Sequence, residues 1–231
     1  MKAKQYLISS SVLLLMILFF SVQAHATATI RLWDGIGDMN TTSLLIADGS
    51  GLDTSSASGV VTYSGTYGVF NILVSTGIQI GTNSYPVLGL NTFEVNSGEG
   101  TLYAWFSNTG FGPTSSPAGY DMSGSLSSIQ GSATVNFDSY IDNTNALFGE
   151  GILLANLGPY TSTDSGTASG SIASLSNPYS LTTKTTVNMD AGSMMQTTAN
   201  VAIVPEPVSS TLFIIGGATL GFRRLRKKFT K

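Results

Sequence analysis

Cysteine is absent from this chain, and histidine occurs once, at His25. Without cysteine there are no disulfide staples and no thiolate chemistry. His25 lies in an N-terminal segment that reads as removable, so the remaining body would hold neither His nor Cys. That excludes Ser-His-Asp and Cys-His nucleophilic catalysis, and zinc sites built from His and Cys. Charge is scarce as well, at 10% of residues. Between Thr27 and Val204 the only bases are Arg31 and Lys184, against twelve acids, a net of −10. A body so poor in Lys and Arg offers almost nothing to phosphates, so no nucleic-acid partner is expected. The 42% of hydrophobic residues and the many aromatic and β-branched side chains separate it from a disordered polar tail. About 180 residues suffice for a core that needs no staples.

The other eight bases lie at the two ends. Lys2 and Lys4 precede an apolar run from Tyr6 to Val22, and Ala24-His25-Ala26 follows. A basic start, an apolar stretch and a small–x–small triplet make a secretory signal peptide over residues 1–26. Signal peptidase would read Ala24 and Ala26 and cut after Ala26; an uncleaved anchor helix is the alternative. At the other end Val204-Pro205-Glu206-Pro207 is followed by an uncharged run, Val208 to Phe222, and then by Arg223, Arg224, Arg226, Lys227 and Lys228. As a helix the run would reach about 22 Å, short of a hydrocarbon core of about 30 Å. Snorkelling bases and local thinning make up the difference, so a transmembrane helix over 208–222 is expected. The basic tail, 223–231, stays on the cytoplasmic side and leaves the acidic body outside.

Pro-Glu-Pro, a short apolar segment and an Arg-rich tail, in that order over 204–231, resemble the PEP-CTERM sorting signal. The resemblance implies recognition by an exosortase, a membrane-embedded transpeptidase-like enzyme. It would cut near Pro205-Glu206-Pro207 and pass the body to the cell surface or extracellular matrix of a bacterium that makes exopolysaccharide. The precursor would be anchored in the inner membrane and face the periplasm. Trp33-Asp34-Gly35 and Asn177-Pro178-Tyr179-Ser180-Leu181 give the body a loose similarity to uncharacterised domains of such proteins, with no activity attached.

The body, 27–203, shows no helical period. Alternation of period two recurs instead: Phe70, Ile72 and Val74; Leu102, Ala104 and Phe106; Ala133, Val135 and Phe137; Tyr179, Leu181, Thr183, Thr185, Val187 and Met189; Ala199, Val201 and Ile203. Turn signals stand at Asp48-Gly49, Asn108-Thr109-Gly110 and Asn177-Pro178. Ten or eleven strands follow from this spacing, in an all-β, antiparallel sandwich or jelly roll. Ser123–Ile129 echoes Ser169–Leu175. Two copies do not make a solenoid, and both read as similar edge strands.

Five chemistries remain for the body. Lys184 reads as a solvated strand residue that guards an edge. Glu94, Glu99 and Glu150 are the body's only glutamates, and a glycosidase would need two of the carboxyl groups to converge. Glu94 should point away from inward Phe93 and Val95, and Glu99 lies between glycines. Asp34, Asp38 and Asn40, and separately Asp138 and Asp142, place oxygen ligands on short stretches that suit Ca²⁺, although Asp and Asn are also ordinary turn formers. Trp33, Tyr103, Trp105 and Phe111 are candidates to stack on sugar rings, or to fill the core. Thr183 and Thr185 give only a trace of a regular Thr ladder. The reading with most support is a non-enzymatic surface or matrix protein, structural or adhesive, without a cofactor. The alternative is a Ca²⁺-assisted carbohydrate-binding module for extracellular polysaccharide.

Overall fold

The computed structural model describes residues 27–112, 114, 118–173, 175 and 178–205. The expected signal peptide, the apolar run Val208–Phe222, the basic tail and most of the Pro-Glu-Pro motif lie outside the described residues. Twelve strands and one helical turn carry the described chain: β1 Thr29–Trp33, α1 Met39–Thr42, β2 Leu44–Ala47, β3 Val60–Tyr67, β4 Phe70–Gly81, β5 Pro86–Ser97, β6 Gly100–Phe111, β7 Ala118–Gln130, β8 Ala133–Asp142, β9 Ile152–Tyr160, β10 Asp164–Ile172, β11 Tyr179–Met189 and β12 Met194–Pro205. All pairings are antiparallel.

Two six-stranded sheets result. The first has the order β2-β1-β6-β11-β8-β9, the second β10-β7-β12-β5-β4-β3. The last eight strands form a wound ribbon. Its rungs are β8·β9, β7·β10, β6·β11 and β5·β12, and successive rungs alternate between the sheets. That is the strand order of a jelly roll. The first four strands lengthen it, β1 and β2 beside β6, β4 and β3 beside β5.

Alternation explains the core. Leu102, Ala104 and Phe106 of β6, Val135 and Phe137 of β8, and Leu181, Val187 and Met189 of β11 meet Leu88, Leu90, Phe93 and Val95 of β5, and Met195, Ala199, Val201 and Ile203 of β12. Burying such side chains contributes roughly 1.5–3 kcal/mol each, which is how a staple-free body holds together. Gly124 of β7 shows how close the layers come. A Cβ there would lie 2.5 Å from Cδ2 of the Phe137 ring.

Several expectations need correction. Among the described residues there are twelve strands, and Asp38 caps a single helical turn by accepting from the Asn40 N–H at 2.9 Å. The last strand runs past residue 203 and takes in Val204 and Pro205. Asn108-Thr109-Gly110 is no turn; it lies within β6, because β11 pairs with that stretch up to Phe111 across a bulge. The Ser-Gly-Ser echoes are not two edges. β10 is an edge, but β7 lies between β10 and β12; the two strands pair with each other, with the echoes offset, Ser123 opposite Thr167 and Ser169 opposite Asp121. Lys184 guards no edge, since β11 is flanked by β6 and β8.

Candidate functional site on the outer face of the first sheet

Residues between the core positions of the first sheet point outward, and strand register lines them up in rows. One row reads Arg31, Trp105, Lys184, Asp138 and Asn156 across β1, β6, β11, β8 and β9. Its neighbour begins Trp33, Tyr103, Thr186 and Asn136. Adjacent strands run about 4.8 Å apart, so such side chains touch. The rings do so. Trp33 stacks on Tyr103 at 5.2 Å between centroids, and Tyr103 on Trp105 at 5.7 Å. Both bases of the body and both tryptophans of the chain thus share one face.

An outer sheet face is usually wet, yet Trp105 is only 3% exposed. The cover is the β8–β9 connection, residues 143–151. Several bonds hold it down. The Gly110 N–H donates to Asn145 Oδ1 at 2.7 Å, the Phe148 N–H to Ser107 Oγ at 3.0 Å, and the Ser180 hydroxyl to the Ala146 carbonyl at 2.7 Å. The Phe148 ring lies under the Arg31 guanidinium, 4.0 Å from Cζ to the ring centroid. Glu150 Oε1 accepts from both the Trp105 indole N–H, at 2.9 Å, and the Lys184 ammonium, at 3.1 Å. Lys184 also stands 5.3 Å from the centroid of the Trp105 ring. Asn145 and Phe148 both have φ of 59°, a left-handed conformation that costs energy in a residue with a Cβ.

Charge is divided across this face. Burial pulls the Arg31 guanidinium below its ordinary value, and its Nε is buried without a hydrogen-bond partner. On the other side burial, then the charges of Asp138 and Glu150, push the Tyr140 phenol up to about 12.

The other candidate residues separate. Phe111 belongs to the core and tilts against Tyr179 at 5.5 Å. Thr183 and Thr185 are each 1% exposed, so neither offers an outer ladder. Glu94 stands between inward Phe93 and Val95 on the outside of the second sheet, and Glu150 covers the first, so these two carboxylates lie on opposite faces. Glu99 lies between β5 and β6. Asp34 accepts from the Ile36 N–H at 3.1 Å and Asp38 caps α1, each acting as a turn former. Asp138 is bonded to Asn156, while Asp142 accepts from the Thr144 N–H and hydroxyl. Four residues apart on one strand, Asp138 and Asp142 are separated by about 13 Å. No group of three metal-ligating His, Cys, Asp or Glu side chains occurs among the described residues. None of their helices is long and apolar enough to cross a membrane.

What sequence reasoning missed is the meeting of Glu150 with Trp105 and Lys184, made only through a loop that returns over the sheet. The available signal was the pairing of scarcities: two bases and two tryptophans, all four at outward strand positions.

No protein-family model matches the chain, and no curated protein matches it. Solved structures resemble it distantly. The adhesin domain of Epf from Streptococcus pyogenes is 13% identical at a TM-score of 0.39, covering 76% of this chain and 57% of that one. The structure of infectious bursal disease virus, Gx strain, is 12% identical at 0.31, covering 80% and 53%. The enzymatically active domain of tailspike protein 4 of bacteriophage CBA120 is 14% identical at 0.26, covering 61% and 19%. The chain therefore spans little more than half the length of the first two, and the low scores assign it to none of these folds.

Proposed function

We propose that this is an exported surface or matrix protein, structural or adhesive in role, whose β-sandwich body is delivered by processing at both ends. Signal peptidase removes residues 1–26, and an exosortase acts at Val204-Pro205-Glu206-Pro207, with the apolar run and basic tail holding the precursor in the inner membrane. One observation carries the reading. Among the described residues the first strand begins at Thr29 and the last reaches Pro205, so cuts after Ala26 and near Pro205-Glu206-Pro207 would leave the described core whole, which supports the reading. No catalytic step is part of the proposal. The test is intact mass of the protein from its native envelope and medium, with and without the exosortase. Loss of both ends, the C-terminal one only when the exosortase is present, is expected. An intact C-terminus in both strains overturns the sorting part and leaves a plain anchor.

A second reading is carbohydrate binding on the outer face of the first sheet. The stacked, part-exposed Trp33 and Tyr103 favour it, because aromatic and polar groups together suit sugar rings. Its Ca²⁺-assisted form rests on Asp34, Asp38, Asn40, Asp138 and Asp142. A melting temperature that rises with Ca²⁺ supports that form, and an unchanged melt removes it.

A further inference from the structure

The cover over the first sheet ends in a carboxylate set onto hydrogen-bond donors. Glu150 Oε1 receives the Trp105 indole N–H and the Lys184 ammonium. Arg31, next to Trp105 in the same row, pairs with no carboxylate of the described residues. In a body of net −10 these two cations are the only ones, so an anionic group has one place to go. The pair is not sealed: the Glu150 side chain is 40% exposed and that of Lys184 18%. The segment that carries Glu150 is also held under tension, with Asn145 and Phe148 both left-handed. A Lys184 ammonium that reaches solvent, an exposed internal acceptor and a strained carrier describe a site whose occupant is exchangeable.

We infer that Glu150 is the internal occupant of a carboxylate-binding site formed by Trp105, Lys184 and Arg31, and that the external ligand is a carboxylated sugar, a uronic acid unit of an extracellular polysaccharide. The inference rests on the carbohydrate reading above and adds the class of sugar. A uronate brings a carboxylate to replace that of Glu150. It also brings a pyranose ring, whose C–H face suits the aromatic row of Trp33 and Tyr103 next to the donors. Many uronates on one polymer compete with a tethered glutamate through multivalency, which a single sugar cannot do.

The two tryptophans of the chain, both at this site, report on it. Full-length protein in detergent is titrated with polygalacturonate, with dextran as the neutral polymer and poly-L-glutamate as the acidic polymer without sugar rings, while indole emission is followed. Polygalacturonate should give a saturable shift that high salt suppresses, and dextran and poly-L-glutamate should give none. Glu150→Gln should bind polygalacturonate about tenfold more tightly, because an intramolecular competitor is gone. Arg31→Met should abolish the response with the circular dichroism spectrum unchanged. Phe148→Gly, which frees the strained cover without touching Glu150, should also tighten binding and serves if Glu150→Gln folds poorly. A role for Glu150 in stability alone predicts equal or weaker binding by both variants, and that result overturns the inference. An equal response to dextran leaves carbohydrate binding standing and removes the carboxylate. An equal response to poly-L-glutamate removes the sugar. Silence toward all three polymers, in wild type and Glu150→Gln alike, defeats both this inference and the carbohydrate reading, while the mass measurement still decides export separately.

Discussion

The two outer faces of this sandwich are built by opposite means. The first sheet carries Arg31, Trp33, Tyr103, Trp105, Lys184 and Tyr140 outward and folds its own loop over Arg31, Trp105 and Lys184. The second sheet carries small polar groups. Asp121 and Ser123 of β7, Thr167 and Ser169 of β10, and Asn200 and Ala202 of β12 line a shallow groove of about 380 Å³. No charge network and no aromatic ladder covers that groove among the described residues. Both faces obey the same alternation, which assigns side chains to inside or outside and goes no further. Whether an outward residue stays wet depends on its size and on loop length. β8 and β9 are joined by residues 143–151, long enough to return, whereas only residues 131 and 132 join β7 to β8.

If the covered face is a small second core, Trp105→Ala should cost about 3–4 kcal/mol in urea unfolding, like other buried aromatic truncations. Asn200→Ala, over the open groove, should stay within about 0.5 kcal/mol. A Trp105→Ala loss below about 1 kcal/mol would erase the contrast.

The junction between the faces gives the next effect. The β2–β3 loop crosses from one sheet to the other and is tied by Asp53, which accepts from the N–H groups of Thr62 at 2.8 Å, Ser55 at 2.9 Å and Gly49 at 3.0 Å. Burial raises the carboxyl, but those three backbone donors outweigh it and hold the group below its ordinary value. Its contribution is therefore present above the unfolded-state pKa near 4 and disappears as pH falls through the lower folded value. Asp53→Ala should cost about 2 kcal/mol at neutral pH and less at pH 2 to 3, as measured by denaturant titration. A loss that does not vary with pH would place the effect elsewhere.

Alkali probes the covered face from the other side. Tyr140 is pushed up to about 12, and burial raises the core phenol Tyr179 as well. The folded state holds those protons more tightly than the unfolded chain, whose phenols titrate near pH 10, so stability should fall as pH climbs from about 10 to about 12. Tyr140→Phe should flatten part of that fall in alkaline melts. An unchanged slope would show that Tyr140 ionises freely.

The smallest effect belongs to the ion pair. Lys184→Met should cost under about 1 kcal/mol although β11 is central, because Glu150 is 40% exposed and water screens the pair. A larger loss in thermal unfolding would mean that the cover is held by charge more than by the Phe148 and Trp105 rings.

Much of the inside was legible in the sequence. The alternations at Leu102–Phe106, Ala133–Phe137, Tyr179–Met189 and Ala199–Ile203 fell on the buried face, and Glu94 pointed outward between Phe93 and Val95 as expected. Local pattern suffices there because one face is buried. It failed at Asn108-Thr109-Gly110, where pairing with β11 overrides turn propensity, and at β7, whose serines resemble an edge but lie between two partners. The candidate site could not be read at all as a group. Arg31, Trp105, Glu150 and Lys184 come from four separate segments; register across non-local strands sets three of them side by side, and a returning loop adds Glu150. The four sugar-stacking candidates divided, three to the outer ladder and Phe111 to the core, because the bulge between β6 and β11 after Asn108 shifts the alternation before Phe111 is reached.

The position of β12 has a mechanical consequence. The strand lies between β7 and β5, with partners on both sides along most of its length, and it reaches Pro205, the last described residue. Ladder hydrogen bonds lie across the strand direction, so a pull along β12 from its C-terminal end strains the rungs on both sides together. An edge strand such as β10 has rungs on one side only and would resist the same pull with fewer of them. A tension applied there meets the sheet in shear and is passed through the core to the aromatic face, so the sandwich resists force in the direction in which a tether at Pro205 would apply it.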